Sequence, residues 1–353
     1  MKVEKKVIAR LPKCYAVTRL EYKGEPCFLV AAEKQDPCYL FSEDGEILET
    51  VWDGPGGVMT MEQVPGSDGQ FLATRKFYSP NDSREASIVT ATPKEEGGWE
   101  VSKLCDLPFV HRFAILKRDG VNWLFACTVK SGHEYKDDWR FPGACYAAPL
   151  PEDLSVFGDA HQLKLSPVKT GMLRNHGFSK VERDGFDAGL VGCEEGTFLF
   201  TPPRKGGSEW EITQLCAAPS SDSVLIDLDG DGTEELGYIS PFHGDELHIA
   251  HLNEKGVYEE QWTCPVPREE TQMLHATWAC EILGRPAWIV GWRKGTRNTA
   301  AILWNGSDYI METIDEGAGC ANAMKYTDSR GNDIVIGANR ESDEVAMYRI
   351  TED

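Results

Sequence analysis

The chain repeats one kind of segment along its whole length: a short apolar run that opens a unit of about 50 residues. Aligned on this run, the units begin near seven positions, Tyr15, Val58, His111, His176, Ser223, His275 and Asn322. A repeat of this length is typical of architectures in which each unit packs only against its neighbours. The repeat therefore constrains the fold more strongly than any single motif in the sequence.

Each unit contains further short apolar runs, such as CFLVAAE at 27–33 and CYLFSEDG at 38–45. These runs are rich in β-branched and aromatic residues and are bounded by Gly, Asp, Asn and Pro, which is typical of strands and turns. Three or four strands per unit predict an all-β, seven-bladed β-propeller that forms a single domain over residues 1–353. The longest loop insertions are expected in the third blade, at about 130–170.

The last unit offers only three strands before the sequence ends, whereas a strand-like segment, residues 5–12, precedes the first unit. We expect residues 5–12 to pair with the strand near 345–350, because this pairing would close the ring and cover an open sheet edge.

Composition limits the partners. The chain has 36 basic and 57 acidic residues and a formal net charge of −21, which disfavours binding to nucleic acid and to anionic membranes. The N-terminus has no apolar signal region, and no window approaches the roughly 20 apolar residues of a membrane span. The eleven cysteines include no CxxC pair. These features predict a protein of the reducing cytoplasm.

The most specific local motif is DLDGDGTEEL at 227–236. Asp227, Asp229 and Asp231 occupy alternate positions, Gly230 and Gly232 permit a tight turn, and Glu235 follows, a pattern that suits a hard cation with oxygen ligands. The motif resembles the acidic loop of VCBS/FG-GAP repeats, which joins the first and second strands of a propeller blade. The resemblance implies a structural calcium ion on the face opposite the strand-opening histidines.

Three units open with histidine, at His111, His176 and His275, and such residues should meet at one height around a shared axis. His243 lies in a loop that reaches the same face. Clustered imidazoles with nearby carboxylates suit manganese, zinc, iron or nickel, so the sequence predicts a transition-metal site with His243 as a possible fourth ligand.

Other loops on this face supply candidate catalytic and substrate-binding residues. His133 and Tyr135 are alternative general bases, and Lys130 and Arg293 could hold carbonyl or carboxylate oxygens. The candidates for substrate binding are Arg75, Glu134 and Trp292. Trp292 is included because aromatic faces pack against sugar rings.

The repeat pattern is similar to that of the VCBS-type propeller of aldos-2-ulose dehydratase. The architecture and the histidine placement are similar to those of oligogalacturonate lyases, which are also propellers that process sugars. The resemblance implies an enzyme with a small carbohydrate substrate, a metal-dependent carbon–oxygen lyase that performs β-elimination on a keto sugar, glycoside or uronate. A glycoside hydrolase with paired carboxylates among Glu33, Glu134 and Glu194 is an alternative. A non-catalytic propeller that binds a protein or glycan is another.

Overall fold

The computed structural model describes residues 1–352, which form 28 strands and no helix. Accordingly, those residues contain no helix that is long and apolar enough to cross a membrane. All strand pairings within the sheets are antiparallel, as expected for short strands joined by tight turns.

The strands form five four-stranded sheets and one larger sheet. The first two sheets in chain order contain β2 (Cys14–Tyr22), β3 (Glu25–Ala32), β4 (Cys38–Ser42) and β5 (Ile47–Trp52), then β6 (Met61–Gln63), β7 (Phe71–Arg75), β8 (Ser87–Pro93) and β9 (Trp99–Asp106). The larger sheet contains β10 (Val110–Arg118), β11 (Val121–Lys130), β12 (Pro142–Pro149), β13 (Ser166–Met172), β14 (Gly177–Arg183), β15 (Phe186–Cys193), β16 (Gly196–Thr201) and β17 (Glu211–Cys216).

Two further sheets follow, with β18 (Ser223–Ile226), β19 (Glu235–Ser240), β20 (Glu246–Leu252) and β21 (Tyr258–Thr263), then β22 (Leu274–Ile282), β23 (Arg285–Trp292), β24 (Thr299–Trp304) and β25 (Tyr309–Asp315). The last sheet combines both ends of the chain: β26 (Asn322–Thr327), β27 (Asp333–Asn339), β28 (Glu344–Thr351) and β1 (Lys2–Arg10). β1 pairs with β28 along its length, so the N-terminal strand covers 2–10 rather than 5–12.

The larger sheet consists of two groups of four strands. Its halves, β10–β13 and β14–β17, are joined by a single pairing between Arg118 and Phe186. Each half otherwise has the same strand order as the four-stranded sheets. The strands of the third and fourth sequence units are therefore joined into one sheet by this residue pair only.

The first strands of the units contact one another in sequence order. β2 contacts β6, β6 contacts β10, and the series continues through β14, β18 and β22 to β26, which contacts β2. The hydrophobic core lies between successive sheets. Trp288 of β23 is fully buried against Gly237 of β19, where a Cβ atom would lie 2.9 Å from the indole ring. A side chain at Gly237 would force the two sheets apart.

Candidate metal centre

A backbone conformation recurs just before the first strands. In six units one residue there has a positive φ, namely Lys13, Gly57, Phe109, Arg174, Met273 and Gly319. Two positions later the chain places Tyr15, Met59, His111, His176, His275 and Ala321. Left-handed backbone is unusual for non-glycine residues, so its recurrence at equivalent positions indicates that it directs the chain into the strand in one set orientation.

Three of these positions are also β-bulges. The strand register skips Tyr15 between Cys14 and Ala16, and it skips His111 and His275 in the same way. A bulge leaves one residue unpaired and re-aims its side chain. Equivalent bulges in three units therefore bring these three side chains together.

His111, His176, His243 and His275, here called the histidine cluster, lie in contact. His176 Nε2 is 3.1 Å from His243 Nε2, and the ring centroids of His111 and His176 are 4.3 Å apart. His243 comes from the loop between β19 and β20, where its φ of 49° is left-handed and its ring stacks on Phe242 at 4.0 Å. One nitrogen of each of His176, His243 and His275 lies within 4.8 Å of the others. These three are the candidate metal ligands.

The Nδ1 atoms of three rings contact acceptors in the next unit. His275 Nδ1 lies 2.7 Å from the carbonyl oxygen of Ala321, and His111 Nδ1 lies 3.2 Å from the carbonyl oxygen of His176. His176 Nδ1 lies 2.9 Å from Asp222 Oδ2. Because these oxygens accept hydrogen bonds, each Nδ1 carries the proton and each Nε2 keeps a lone pair. This arrangement is the one found behind metal-binding histidines.

Tyr15 cannot satisfy all of these lone pairs. Its hydroxyl lies 3.0 Å from His275 Nε2 and 3.3 Å from His111 Nε2, but it has one proton to donate. When Tyr15 donates to His111, the lone pair of His275 is left without this donor, and His176 Nε2 has only His243 Nε2, 3.1 Å away, as a donor. Buried acceptors without donors are costly, and a cation between the three nitrogens would remove that cost.

The charge state of the cluster suits a metal. Burial lowers the pKa of all four imidazoles well below the usual 6.5, and cationic Arg112 and Arg293 lower the pKa of His176 further. Burial also raises the pKa of Asp222, which Arg112 partly opposes. The imidazoles are therefore neutral at neutral pH, which is the form that binds metal.

This shift predicts a pH-dependent stability for the metal-free protein. Unfolded histidines take up protons below about pH 6.5 whereas the buried ones do not, so the free energy of unfolding should fall as pH drops below about 6.5, by about 1.4 kcal/mol per pH unit for each group. Asp222 and Glu235, whose pKa values are raised, act in the opposite direction but are fewer. Urea unfolding in chelator measures the slope, and a flat profile from about pH 7.5 to 5.5 would contradict the assignment.

Three predicted site residues are more buried than a loop position implies. Lys130, the last residue of β11, is fully buried, and its Nζ contacts Asn81 Oδ1 and the carbonyl oxygen of Asp138. Trp292, the last residue of β23, belongs to a hydrophobic cluster. Arg293 is buried and ion-paired with Glu341. Strand ends turn alternate side chains inward, so Lys130 and Trp292 are buried at the ends of their strands rather than exposed in loops.

The remaining predicted residues lie around the long third-unit loop and near β7. His133 is half-buried and packs edge-on against Phe109. Tyr135 is 58% exposed, and Arg140 lies over its ring and is ion-paired with Glu134. The guanidinium of Arg75 stacks on Trp52 at 4.6 Å. The long loop instead approaches the cluster through Trp139, whose ring lies 5.3 Å from Phe242.

Two residues of the site were missed by the sequence analysis. Tyr15 opens the first unit as His111 opens the third, and Asp222 immediately precedes the strand of the fifth unit as His176 does in the fourth. The alignment of the unit starts indicates both residues, provided that every polar residue at these positions is considered and not histidine alone.

The acidic loop between β18 and β19 is compact. Asp227 accepts hydrogen bonds from the backbone of Gly230 and Gly232, and the buried Glu235 accepts one from Leu228. One oxygen from each of Asp227, Asp229, Asp231 and Glu235 lies within 4.8 Å of the others. The loop follows the end of a first strand, whereas His111, His176 and His275 lie at the start of first strands. His243, in a loop between a second and a third strand, is at the same end as these three, so the two sites are at opposite ends of the sheets.

No family model matches the sequence, and no curated protein matches it. Among solved structures, virginiamycin B lyase from Staphylococcus aureus aligns with a TM-score of 0.60 and 14% identity, covering 99% of each chain. A streptogramin B lyase aligns at 0.54 with 11% identity over 99% of this chain and 98% of that one. A glucose dehydrogenase aligns at 0.51 with 9% identity over 99% and 100%. These proteins are β-propellers. The chain has a β-propeller fold.

Proposed function

We propose that the chain is a metal-dependent propeller enzyme that performs β-elimination on an oxidised sugar, glycoside or uronate. The proposal rests on His176, His243 and His275, in which one ring nitrogen of each residue lies within 4.8 Å of the others. In His176 and His275, Nδ1 donates a hydrogen bond to Asp222 and to Ala321, respectively. Three imidazoles leave a position open for substrate, as in catalytic metal sites. Two similar structures are named as lyases, so this fold is compatible with such chemistry.

The architecture we propose is a ring of seven blades closed by the pairing of β1 with β28. The closed series of contacts among the first strands supports it, and so does the division of the larger sheet into two groups of four. In this arrangement the first strands surround the axis, and the histidine cluster lies at one end of it.

A bound Mn, Zn, Fe or Ni ion would supply positive charge that stabilises an enolate next to a carbonyl or carboxylate. The chain's own groups would bind and orient the substrate. A cavity of about 490 Å³ beside His243 is also lined by Asp245, Gln272 and Lys294, and it is the proposed entrance for a small carbohydrate. Burial raises the pKa of Tyr15 to about 12, so its hydroxyl keeps a proton that it can donate beside the ligands.

His133 and Tyr135 stay the proposed alternatives for the general base, which would remove the acidic C–H proton. Both residues belong to the long third-unit loop, whose Trp139 contacts Phe242, and this position supports the proposal. We expect His133→Ala to retain the metal and to slow proton abstraction by about 10²-fold. Steady-state rates and elemental analysis of this variant test it, and a full rate would exclude His133.

The hydrolase alternative has less support. Glu33 is ion-paired with Arg340, Glu134 with Arg140 and Glu194 with Arg174. Each candidate carboxylate is thus held by a different arginine, whereas a hydrolase needs two free carboxyl groups facing one substrate.

The test is a screen of keto sugars, oxidised glycosides and uronates for ultraviolet absorbance of a new double bond, with each of the four metals and with chelator. We expect metal-dependent absorbance that disappears in His176→Ala and survives in the control His161→Ala, which alters an exposed histidine. A protein that contains calcium as its sole metal and forms no unsaturated product would contradict the proposal and favour a hydrolase or a binding propeller.

We also propose that Asp227, Asp229, Asp231 and Glu235 bind a structural calcium ion. Burial, with Asp229 and Asp227 nearby, raises the pKa of Glu235 to about 7. Because this pKa is raised, the free energy of unfolding of the metal-free protein falls as pH rises from about 4.5 to 7, where the buried carboxyl group ionises. A cation offsets this loss.

Calcium should therefore raise the melting temperature by about 4 °C at pH near 8 and by less at pH near 5.5, where protons compete for Glu235. Asp229→Ala should abolish the effect. Asp184→Ala is the matched control, since it alters the corresponding turn of the fourth unit, RDGFDAG at 183–189. If calcium has no effect on the wild-type protein, or if Asp229→Ala responds normally, the loop is only a turn.

The proposed location is the reducing cytoplasm. All eleven cysteines are unpaired thiols, which supports it.

A further inference from the structure

A second cavity lies far from the histidine cluster. It has a volume of about 470 Å³ and is bounded by the outer part of two neighbouring sheets, with Trp262 of β21, Trp304 at the end of β24 and Tyr309 at the start of β25. His251 of β20 also lines it, and His251 Nδ1 lies 3.9 Å from Glu235 Oε1. The cavity is therefore at the acidic-loop end of the sheets. Its volume is in the range of small-molecule sites.

The aromatic walls of this cavity form a single packed group. Tyr309 contacts Trp304 with a centroid distance of 4.9 Å and Trp262 with one of 6.0 Å. Its hydroxyl lies 2.6 Å from His251 Nε2, which fixes the ring. The two indole rings are half-buried, so part of each remains open to the cavity. Rigid aromatic faces at angles to one another are suited to the C–H faces of pyranose rings.

The indole nitrogens of the cavity are accessible and, in the part of the chain that the structure describes, have no acceptor. Trp99, Trp288 and Trp292 each donate to a side-chain oxygen, whereas Trp262 and Trp304 have no such acceptor within residues 1–352. Trp52 and Trp123 also lack an acceptor there, but their indole nitrogens are buried. The accessible N–H groups of Trp262 and Trp304 are therefore available to hydroxyl oxygens of a ligand.

The charge around the cavity selects against anions. Asp308 lines it, and the acidic loop lies behind His251. Among residues 1–352, no lysine or arginine lines it. A carboxylate or phosphate here would lack a cationic partner and would be repelled. The ligand class favoured by these groups is an uncharged polyol with apolar ring faces.

From these observations we infer that the cavity bounded by Trp262, Trp304 and Tyr309 is a binding site for a neutral oligosaccharide. Trp262 and Trp304 stack on sugar rings, and Asp308, Gln261 and the indole N–H groups bond to hydroxyls. The site is distinct from the histidine cluster, so the inference does not depend on the proposed lyase activity.

The test uses cellotetraose, maltotetraose and mannotetraose as neutral probes and tetragalacturonate as the anionic control. We expect at least one neutral probe to bind with a Kd below about 1 mM by calorimetry and to shift two indole N–H signals in the NMR spectrum of the wild-type protein. Trp304→Ala should weaken binding at least about 10-fold. Trp278→Ala, which removes an exposed indole outside the cavity, should leave it unchanged.

The NMR spectrum of the wild-type protein does not depend on the folding of a variant. It therefore tests the inference even if Trp304→Ala is unstable. The inference is overturned if none of the neutral probes shifts the signals assigned to Trp262 and Trp304. It is also overturned if tetragalacturonate shifts the Trp262 and Trp304 signals as strongly as the best neutral probe, or if a folded Trp304→Ala variant binds normally.

Discussion

The His275→Ala variant should contain less than about one tenth of the transition metal bound by the wild-type protein and should lose at least about 10²-fold in activity. His275 is held by a bulge at the start of β22, and its Nδ1–H is hydrogen-bonded to the carbonyl oxygen of Ala321, so its Nε2 is fixed towards the cluster. With two imidazoles left, the site keeps too few ligands to hold a divalent ion in neutral solution.

His176→Ala and His243→Ala should behave in the same way. Tyr15→Phe is the matched control, because it removes the hydroxyl that competes for His275 Nε2 and leaves the three imidazoles in place. It should retain the metal. Elemental analysis and rates on these four variants measure the effect. Full metal and full activity in both His176→Ala and His275→Ala would show that the histidines are structural, and the lyase proposal would fail with them.

Asp222→Ala should weaken metal binding by about 10- to 100-fold while leaving the three ligands in place. Asp222 Oδ2 accepts hydrogen bonds from His176 Nδ1–H and from the hydroxyl of Ser221, each at 2.9 Å. It therefore stabilises the tautomer in which His176 Nε2 has a lone pair. Without this carboxylate the proton can move to Nε2 and block the ligand position.

A competition titration with a chromophoric chelator measures the change, and Asp222→Asn separates its causes. The amide can still accept from His176 Nδ1 but carries no charge, so an intermediate affinity is expected. Asp184→Asn serves as the control for loss of one carboxylate from an acidic chain. Unchanged affinity in Asp222→Ala would show that His176 does not depend on its partner in the fifth unit.

Much of the fold could be predicted from the sequence because strand formation depends on local residue patterns. The runs at 27–33 and 38–45 correspond to β3 and β4, and the N-terminal segment pairs with β28 as expected. The repeat also predicted that histidines at unit starts would meet. Equivalent positions in a repeat have equivalent backbone conformation, and the bulges at His111 and His275 are one such case.

Side-chain direction at the ends of strands could not be predicted in this way. Lys130 and Trp292 were assigned to loops, and a shift of one residue at a strand end turns a side chain from solvent to core. The choice of ligands also depended on long-range contacts. The sequence predicts His243 as a possible fourth ligand from the position of its loop, but no periodic pattern indicates the left-handed backbone conformation that brings it into the cluster. His111 is bonded to Tyr15, 96 residues away in sequence.

Anomalous diffraction at the absorption edge of the metal found by elemental analysis tests the histidine site most directly. We expect one peak within about 2.0–2.3 Å of a ring nitrogen of each of His176, His243 and His275, at the end of the sheets opposite the acidic loop. A peak at Asp229, Glu235 and His251 instead, or no peak among the histidines of a fully loaded protein, would contradict it.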